Sequence, residues 1–263
     1  TALMAFLKAG DHVVLQQTLY GGTYNLVNEE FSKYGIEYSF TEGWKAEAFE
    51  AQIKENTKVI YIETPSNPLL TITDLKAVAT IAKKHGLVTM IDNTFASPVN
   101  QNPIDFGIDI VIHSATKYMG GHSNICAGAV ATTENMERIF HLAKNFGGSL
   151  SDYTVWLLER SMKTMGIRVR AQNDNALAMA YFLQENKDIE KVYYPGLPTH
   201  EDHEIAKKQM KGFGGMLSFE LNSSLDASLF QKSLKLIKSS MSLAGVESTV
   251  ISPTKTSHAL MST

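Results

Sequence analysis

Short β-branched runs alternate with helix-length amphipathic stretches from residue 10 to about residue 131, and this alternation restricts the fold more than any other feature of the chain. It is the pattern of βαβ units around a mainly parallel sheet, so the first expectation is an α/β protein with helices on both faces. The spacing predicts strands over residues 12–15, 36–40, 58–63, 87–92, 108–113 and 128–132. Between the third and fourth, residues 74–85 read as a crossover helix, with Thr73 as N-cap, Leu75, Val78, Ala79 and Ala82 on one stripe, and Gly86 as the stop. Pro65, Pro68, Pro98 and Pro103 fall beyond strand ends, where a missing amide is tolerated, and mark loops.

After residue 131 the pattern changes. Helices are expected over 134–144, 153–164 and 169–184, then a strand over 215–221 and a helix over 225–239. This predicts a large domain over 1–165 and a smaller α+β domain over 166–263. Residues 1–9 read as the tail of an apolar helix closed by Gly10, and 258–263 stop without a closing element, so the chain is expected to be the interior of a longer one.

Composition narrows the function classes. With 263 residues, 44% of them hydrophobic, the chain can bury a full core. A net charge of -3 with dispersed lysines leaves no basic footprint for nucleic acid. No apolar run approaches the roughly 20 residues that span a bilayer, and no charged-then-apolar leader opens the sequence, so neither a membrane nor secretion is expected and a cytoplasmic location is. Cys126 stands alone among Ile125, Ala127 and Ala129 and reads as a small buried hydrophobe. The spacing of His113, His122 and His258 fits no zinc pattern, so no metal is expected. Arg168 and Arg170, at a helix start, are expected to pair with carboxylates or solvent.

Three predicted strands end in polar groups: Glu63-Thr64-Pro65-Ser66-Asn67-Pro68, Asp92-Asn93-Thr94-Phe95 and His113-Ser114-Ala115-Thr116-Lys117. Parallel strands end on one sheet edge, where open α/β folds bind ligands, so the three are expected to converge on one pocket. Lys117 alone could bind phosphate, form a Schiff base or sit in a solvated loop. A Walker-type loop is disfavoured because Gly120 and Gly121 follow the lysine instead of preceding it. Taken together, the residues meet the needs of pyridoxal 5'-phosphate: an amine, a carboxylate for the ring nitrogen, hydroxyls for the phosphate and a ring to stack on. Lys117, Asp92, Ser114 with Thr116, and Tyr20 supply these.

The strings 91–98 (IDNTFASP) and 113–122 (HSATKYMGGH) resemble the signature of the Cys/Met-metabolism pyridoxal-phosphate family, of fold type I. Tyr20-Gly21-Gly22-Thr23, the Glu63 to Pro68 string and Lys211-Gly212-Phe213-Gly214-Gly215-Met216 extend the likeness over the whole chain. The resemblance implies that Lys117 is the Schiff-base lysine and proton shuttle, and that Asp92 is the partner of the ring nitrogen. It implies that Tyr20 stacks on the ring and assists proton transfer, Asn67 bonds the ring hydroxyl oxygen, Ser114 and Thr116 hold phosphate, and Ser242 lies near the substrate carboxylate. It also implies structural roles for His113 and His122, and homodimers or homotetramers with shared active sites. A phosphate loop and a Tyr/Arg pair lent by the neighbouring subunit would lie upstream of residue 1, and a substrate-carboxylate arginine downstream of residue 263.

The activity implied is γ-elimination or γ-replacement of the cystathionine γ-synthase or γ-lyase type. Homoserine-ester sulfhydrylase and methionine γ-lyase are the alternatives, the latter weakened by Gly22, where those lyases usually carry cysteine. A reading of another class is a cofactor-free interaction protein descended from a truncated member.

Overall fold

In the computed structural model, which describes residues 1–253, a six-stranded sheet takes the order β2-β1-β3-β4-β5-β6. Its elements follow one another as α1 (Ala2–Phe6), β1 (His12–Leu15), α2 (Gly21–Asn25), β2 (Glu37–Phe40), α3 (Ala46–Glu50), β3 (Thr57–Glu63), α4 (Leu75–Lys84), β4 (Val88–Asp92), α5 (Ser97–Asn100), β5 (Ile110–Ser114) and β6 (Gly128–Thr132). The first five strands are parallel and β6 closes the edge antiparallel. This mainly parallel sheet, covered by helices on both faces, is the α/β arrangement that the alternating runs predict.

Period-two alternation along the strands explains why the runs read as almost wholly apolar: both faces are covered. Val13, Leu15, Val59, Tyr61, Met90 and Ile110 pack on one face with Leu3 and Phe6 of α1. Val14, Ile60, Ile62, Ile91 and Val111 pack on the other with Phe49 of α3 and Leu75, Val78 and Ala82 of α4. The strands therefore cannot slip by one residue without exchanging their two cores.

The rest of the chain forms α6 (Met136–Phe146), α7 (Asp152–Met162), α8 (Met165–Gln184), β7 (Ile189–Tyr193), α9 (His203–Gln209), β8 (Ser218–Leu221), α10 (Ala227–Ser233), β9 (Lys238–Ser239) and β10 (Thr249–Val250). Strands β7 and β8 pair antiparallel, and α9 packs through Ala206 and Met210 on Ile72 and Ala96 of the sheet-bearing part. No helix among the described residues is long and apolar enough to cross a membrane.

Several expectations are corrected. The N-cap of α4 is Asp74, whose side chain accepts the Ala77 amide at 2.9 Å, whereas Thr73 is buried and donates its hydroxyl to Gln16. Helix α1 ends at Phe6, because Leu7 is extended and buried; Gly10, at φ +85°, serves a turn in which Asp11 accepts the Lys8 amide. The helix expected over 225–239 stops at Ser233, and Lys238–Ser239 instead pair with Thr249–Val250, a distant partner outweighing local propensity. Cys126 is exposed: Ile125 and Ala127 turn into a small apolar cluster, and the residue between them faces out. The expectation for residues 258–263 lies outside the described residues, as does His258.

His12 illustrates a polar group that the sheet tolerates only when satisfied. Its ring is fully buried between Thr57 Oγ1 at 2.8 Å and Ser39 Oγ at 2.9 Å, and burial lowers its pKa from 6.5 to about 4. A folded value below the unfolded one means that its contribution is complete above 6.5 and is lost as pH falls from there through about 4. His12→Gln is expected to flatten the acid side of the stability curve by up to about 1.4 kcal/mol per pH unit within that window. Urea unfolding of both proteins between pH 7 and 4 checks it, and parallel curves would refute it.

Candidate active site

The convergence of polar strand ends follows from parity. Glu63, Asp92 and Ser114 lie an even number of residues from Tyr61, Met90 and Ile110, so all three project from the same sheet face, at the same edge. Glu63 and Asp92 are direct register partners, and Tyr20 arrives from the loop after β1, at the point where the strand order reverses between β1 and β3.

Local bonds fix this edge. Asp92 Oδ1 accepts the Thr94 amide at 2.9 Å, and Thr94 Oγ1 accepts the Ser114 amide at 2.8 Å, so one threonine joins the β4 and β5 ends. The segment after β5 turns back on itself: the Lys117 amide bonds Ser114 O at 3.1 Å and the Gly121 amide bonds Lys117 O at 2.7 Å. Gly121 is required there. Its φ is +65°, and a Cβ would stand 1.8 Å from the Arg168 guanidinium. Arg168 pairs with no carboxylate among the described residues; instead it donates to Tyr118 O at 3.0 Å and Ser161 O at 2.9 Å, binding the lysine loop to α7. Arg170 is exposed.

The half-buried Lys117 amine contacts Ser242 Oγ at 3.5 Å, and burial lowers its pKa. Asp92 is recessed enough that burial raises its pKa, against the pull of the Thr94 bonds. Glu63 is held well above the usual carboxylate range by burial and then by the Asp92 charge, while its bonds from the Tyr20 and Asn67 backbones oppose the shift. Thr116 Oγ1 is engaged with Ala127, accepting that residue's amide at 2.9 Å and facing its carbonyl at 3.3 Å. The Tyr20 ring is 57% exposed, and a Cβ on Gly22 would lie 2.6 Å from its edge. His113 is buried, and His122 Nδ1 bonds Gly120 O at 2.7 Å.

Three residues of this edge were not assigned roles from the sequence: Thr94, Arg168 and Glu63. Parity along β3 was the available signal for Glu63, since it shares the face of Tyr61 and, in a parallel sheet, the edge of Asp92.

The donor set fits pyridoxal 5'-phosphate. Among the described residues Asp92 forms no ion pair, and a recessed carboxylate without a cation suits a protonated ring nitrogen. The Lys117 amine has a neutral neighbour in Ser242 and, among the described residues, forms no ion pair with a carboxylate.

A family model described as Cys/Met metabolism PLP-dependent enzyme matches residues 1–263. The chain is 45% identical over 260 residues to a cystathionine beta-lyase of Lactococcus lactis subsp. cremoris, covering 98% of this chain and 68% of that protein. It is 45% identical over 261 residues to a cystathionine gamma-lyase of Bacillus subtilis, covering 98% and 69%. Among solved structures, cystathionine gamma-lyase from Lactobacillus plantarum complexed with L-serine superposes with a TM-score of 0.95 at 41% identity, covering 97% of this chain and 68% of that one.

Proposed function

This chain belongs to the Cys/Met-metabolism PLP-dependent enzymes, and from that membership we propose that it carries out γ-elimination or γ-replacement on cystathionine or a homoserine ester, with Lys117 as the catalytic base. The family assignment establishes PLP-dependent elimination or replacement on sulfur amino acids; the γ position and the residue roles are this proposal. The observation that carries it is a partly buried lysine amine, lowered in pKa and touching Ser242, on the same sheet edge as a cation-free Asp92.

When bound, pyridoxal phosphate supplies an electron sink that acidifies the substrate's Cα–H. Lys117 Nζ would be the amine that holds the cofactor and, when free, would be the base for the Cα proton. Burial lowers its pKa, in the direction that favours the neutral amine a base requires. Having passed that first proton on to the bound cofactor, the same amine, again neutral, would be the base for a Cβ proton, and the electron pair left at Cβ would let the γ substituent depart. Asp92 keeps the proton on the ring nitrogen. Tyr20 would stack on the ring and give a proton to the departing sulfur or oxygen, Asn67 would bond the ring hydroxyl oxygen, Ser114 and Thr116 would hold phosphate, and Ser242, next to Lys117, would orient the substrate carboxylate.

The division near residue 165 belongs to the same reading: the larger unit supplies Asp92 and Lys117, and the smaller one brings Ser242 to them. A homodimer or homotetramer in the cytoplasm is proposed as well. Phe140 and Phe146 of α6, Tyr153 and Trp156 of α7 and Ile167 of α8 each leave more than half of their surface exposed, which supports a partner copy over these helices.

The test is an assay of the full-length protein with cystathionine, O-acetylhomoserine and O-succinylhomoserine, each with and without cysteine or sulfide. Cysteine, 2-oxobutanoate and ammonia from cystathionine, or a thioether or thiol from the esters, are the expected products. Homocysteine and pyruvate from cystathionine would place the cut at Cβ and overturn the γ assignment.

A further inference from the structure

We propose that Glu63 is a positioning residue for the ring-binding half of this site, its one carboxylate fixing the main chains of both Tyr20 and Asn67 beside Asp92. The inference deepens the reading above and rests on it. Glu63 is 4% exposed, and its Oε2 accepts the Tyr20 amide at 2.7 Å. The Asn67 backbone amide bonds the same carboxyl group. Tyr20 is reached from β1 and Asn67 from the loop after β3, so a single side chain ties two loops that share no strand. Glu63's own amide is held in turn by Gln16 Oε1 at 3.2 Å, the residue just past β1.

Burying a carboxylate beside a second one is unfavourable, since desolvation and the Asp92 charge both act against it. A glutamate whose only role was to fill space there would be improved by an apolar side chain of similar volume. What the carboxyl group supplies, and leucine cannot, is a pair of acceptor oxygens for two main-chain donors. Tyr20 benefits most. Its side chain is largely exposed, its ring lies against Gly22, and α2 starts immediately after it, so its angle over the sheet edge is set from the backbone.

The test compares Glu63→Ala with Glu63→Gln in the full-length protein. Alanine removes both acceptors, and glutamine keeps one. With Glu63→Ala, the dissociation constant for pyridoxal phosphate added to cofactor-stripped protein is expected to rise at least tenfold. The visible circular dichroism of whatever cofactor binds, which reports how the ring is held, is expected to fall by half or more. Glu63→Gln is expected to recover both to within about threefold. A purely structural role would lower the melting temperature of Glu63→Ala and leave the visible dichroism per bound cofactor unchanged, which overturns the proposal.

If Glu63→Ala does not fold, the stripped wild-type protein decides. The Tyr20 amide is expected to exchange with deuterium at least tenfold more slowly than an unbonded amide, and free exchange there overturns the proposal. Wild-type protein that takes up no pyridoxal phosphate would instead overturn the cofactor assignment beneath it, an outcome separate from normal uptake with an unaffected Glu63→Ala.

Discussion

In Lys117→Ala, turnover is expected to fall by at least about a thousandfold, because the variant removes the general base and the covalent anchor together, and a positioned base alone contributes up to about 10⁴. The fold should survive. The loop around residue 117 is held by main-chain bonds, from the Lys117 amide to Ser114 O and from the Gly121 amide to Lys117 O, and by the Arg168 bonds to Tyr118 O and Ser161 O. None of these uses the lysine side chain, whose one hydrogen bond among the described residues is the 3.5 Å approach to Ser242 Oγ. Far-ultraviolet circular dichroism should be unchanged. Borohydride reduction of the wild-type protein, followed by peptide mapping, should place the pyridoxyl label on Lys117; a label on another residue, such as Lys163, would remove the basis for both the variant and the mechanism.

The parts of this protein that were legible in the sequence are those where one local rule acts alone. Strands β1 and β6 fall on the expected residues and β2 to β5 shift by one or two, because a β-branched run buried on both faces has no competing structure, whereas β8 starts three residues late and β7 was not expected. The placement of Glu63, Asp92 and Ser114 at one edge was legible for the same reason: parallel strands end together, and parity decides which side chains share a face. Resemblance to a known family added the chemistry that spacing cannot supply. What failed were inferences needing a distant partner. The apolar run through Leu234 and Leu236 continues a helical pattern, yet the chain leaves α10 to pair Lys238–Ser239 with Thr249–Val250. Nothing beside Arg168 in sequence marks its partners: the carbonyl oxygens it meets belong to Tyr118 and Met119, about fifty residues away, and to Ser161. Cys126 was misread because apolar neighbours in sequence mean opposite orientation, not shared burial, wherever the chain is extended.

Asp92→Asn separates what the site does from what the fold needs. The substitution keeps the shape, and the amide oxygen of asparagine can still accept the Thr94 amide that Asp92 Oδ1 accepts now. It removes the negative charge that keeps the cofactor's ring nitrogen protonated. Turnover is expected to fall by at least about a hundredfold, which corresponds to about 2.7 kcal/mol of lost barrier reduction. Stability should move the other way. Burial raises the pKa of Asp92, so the folded state holds its proton more tightly than the unfolded chain does. Such a group is least unfavourable at low pH, and its cost grows as pH rises from the unfolded value towards the folded one. Asparagine escapes that cost, and it relieves the neighbouring Glu63, whose pKa is raised in part by the Asp92 charge. Cofactor-free Asp92→Asn at pH 7 is therefore expected to be at least as resistant to urea as the wild type, while the loaded variant is nearly inactive. A variant that unfolds more easily than wild type would mean that the carboxylate serves the fold, and near-normal turnover would place the ring-nitrogen partner elsewhere. The expected pairing, with unimpaired stability and lost turnover, is the behaviour of a charge kept at a sheet edge for a ligand instead of for the protein around it.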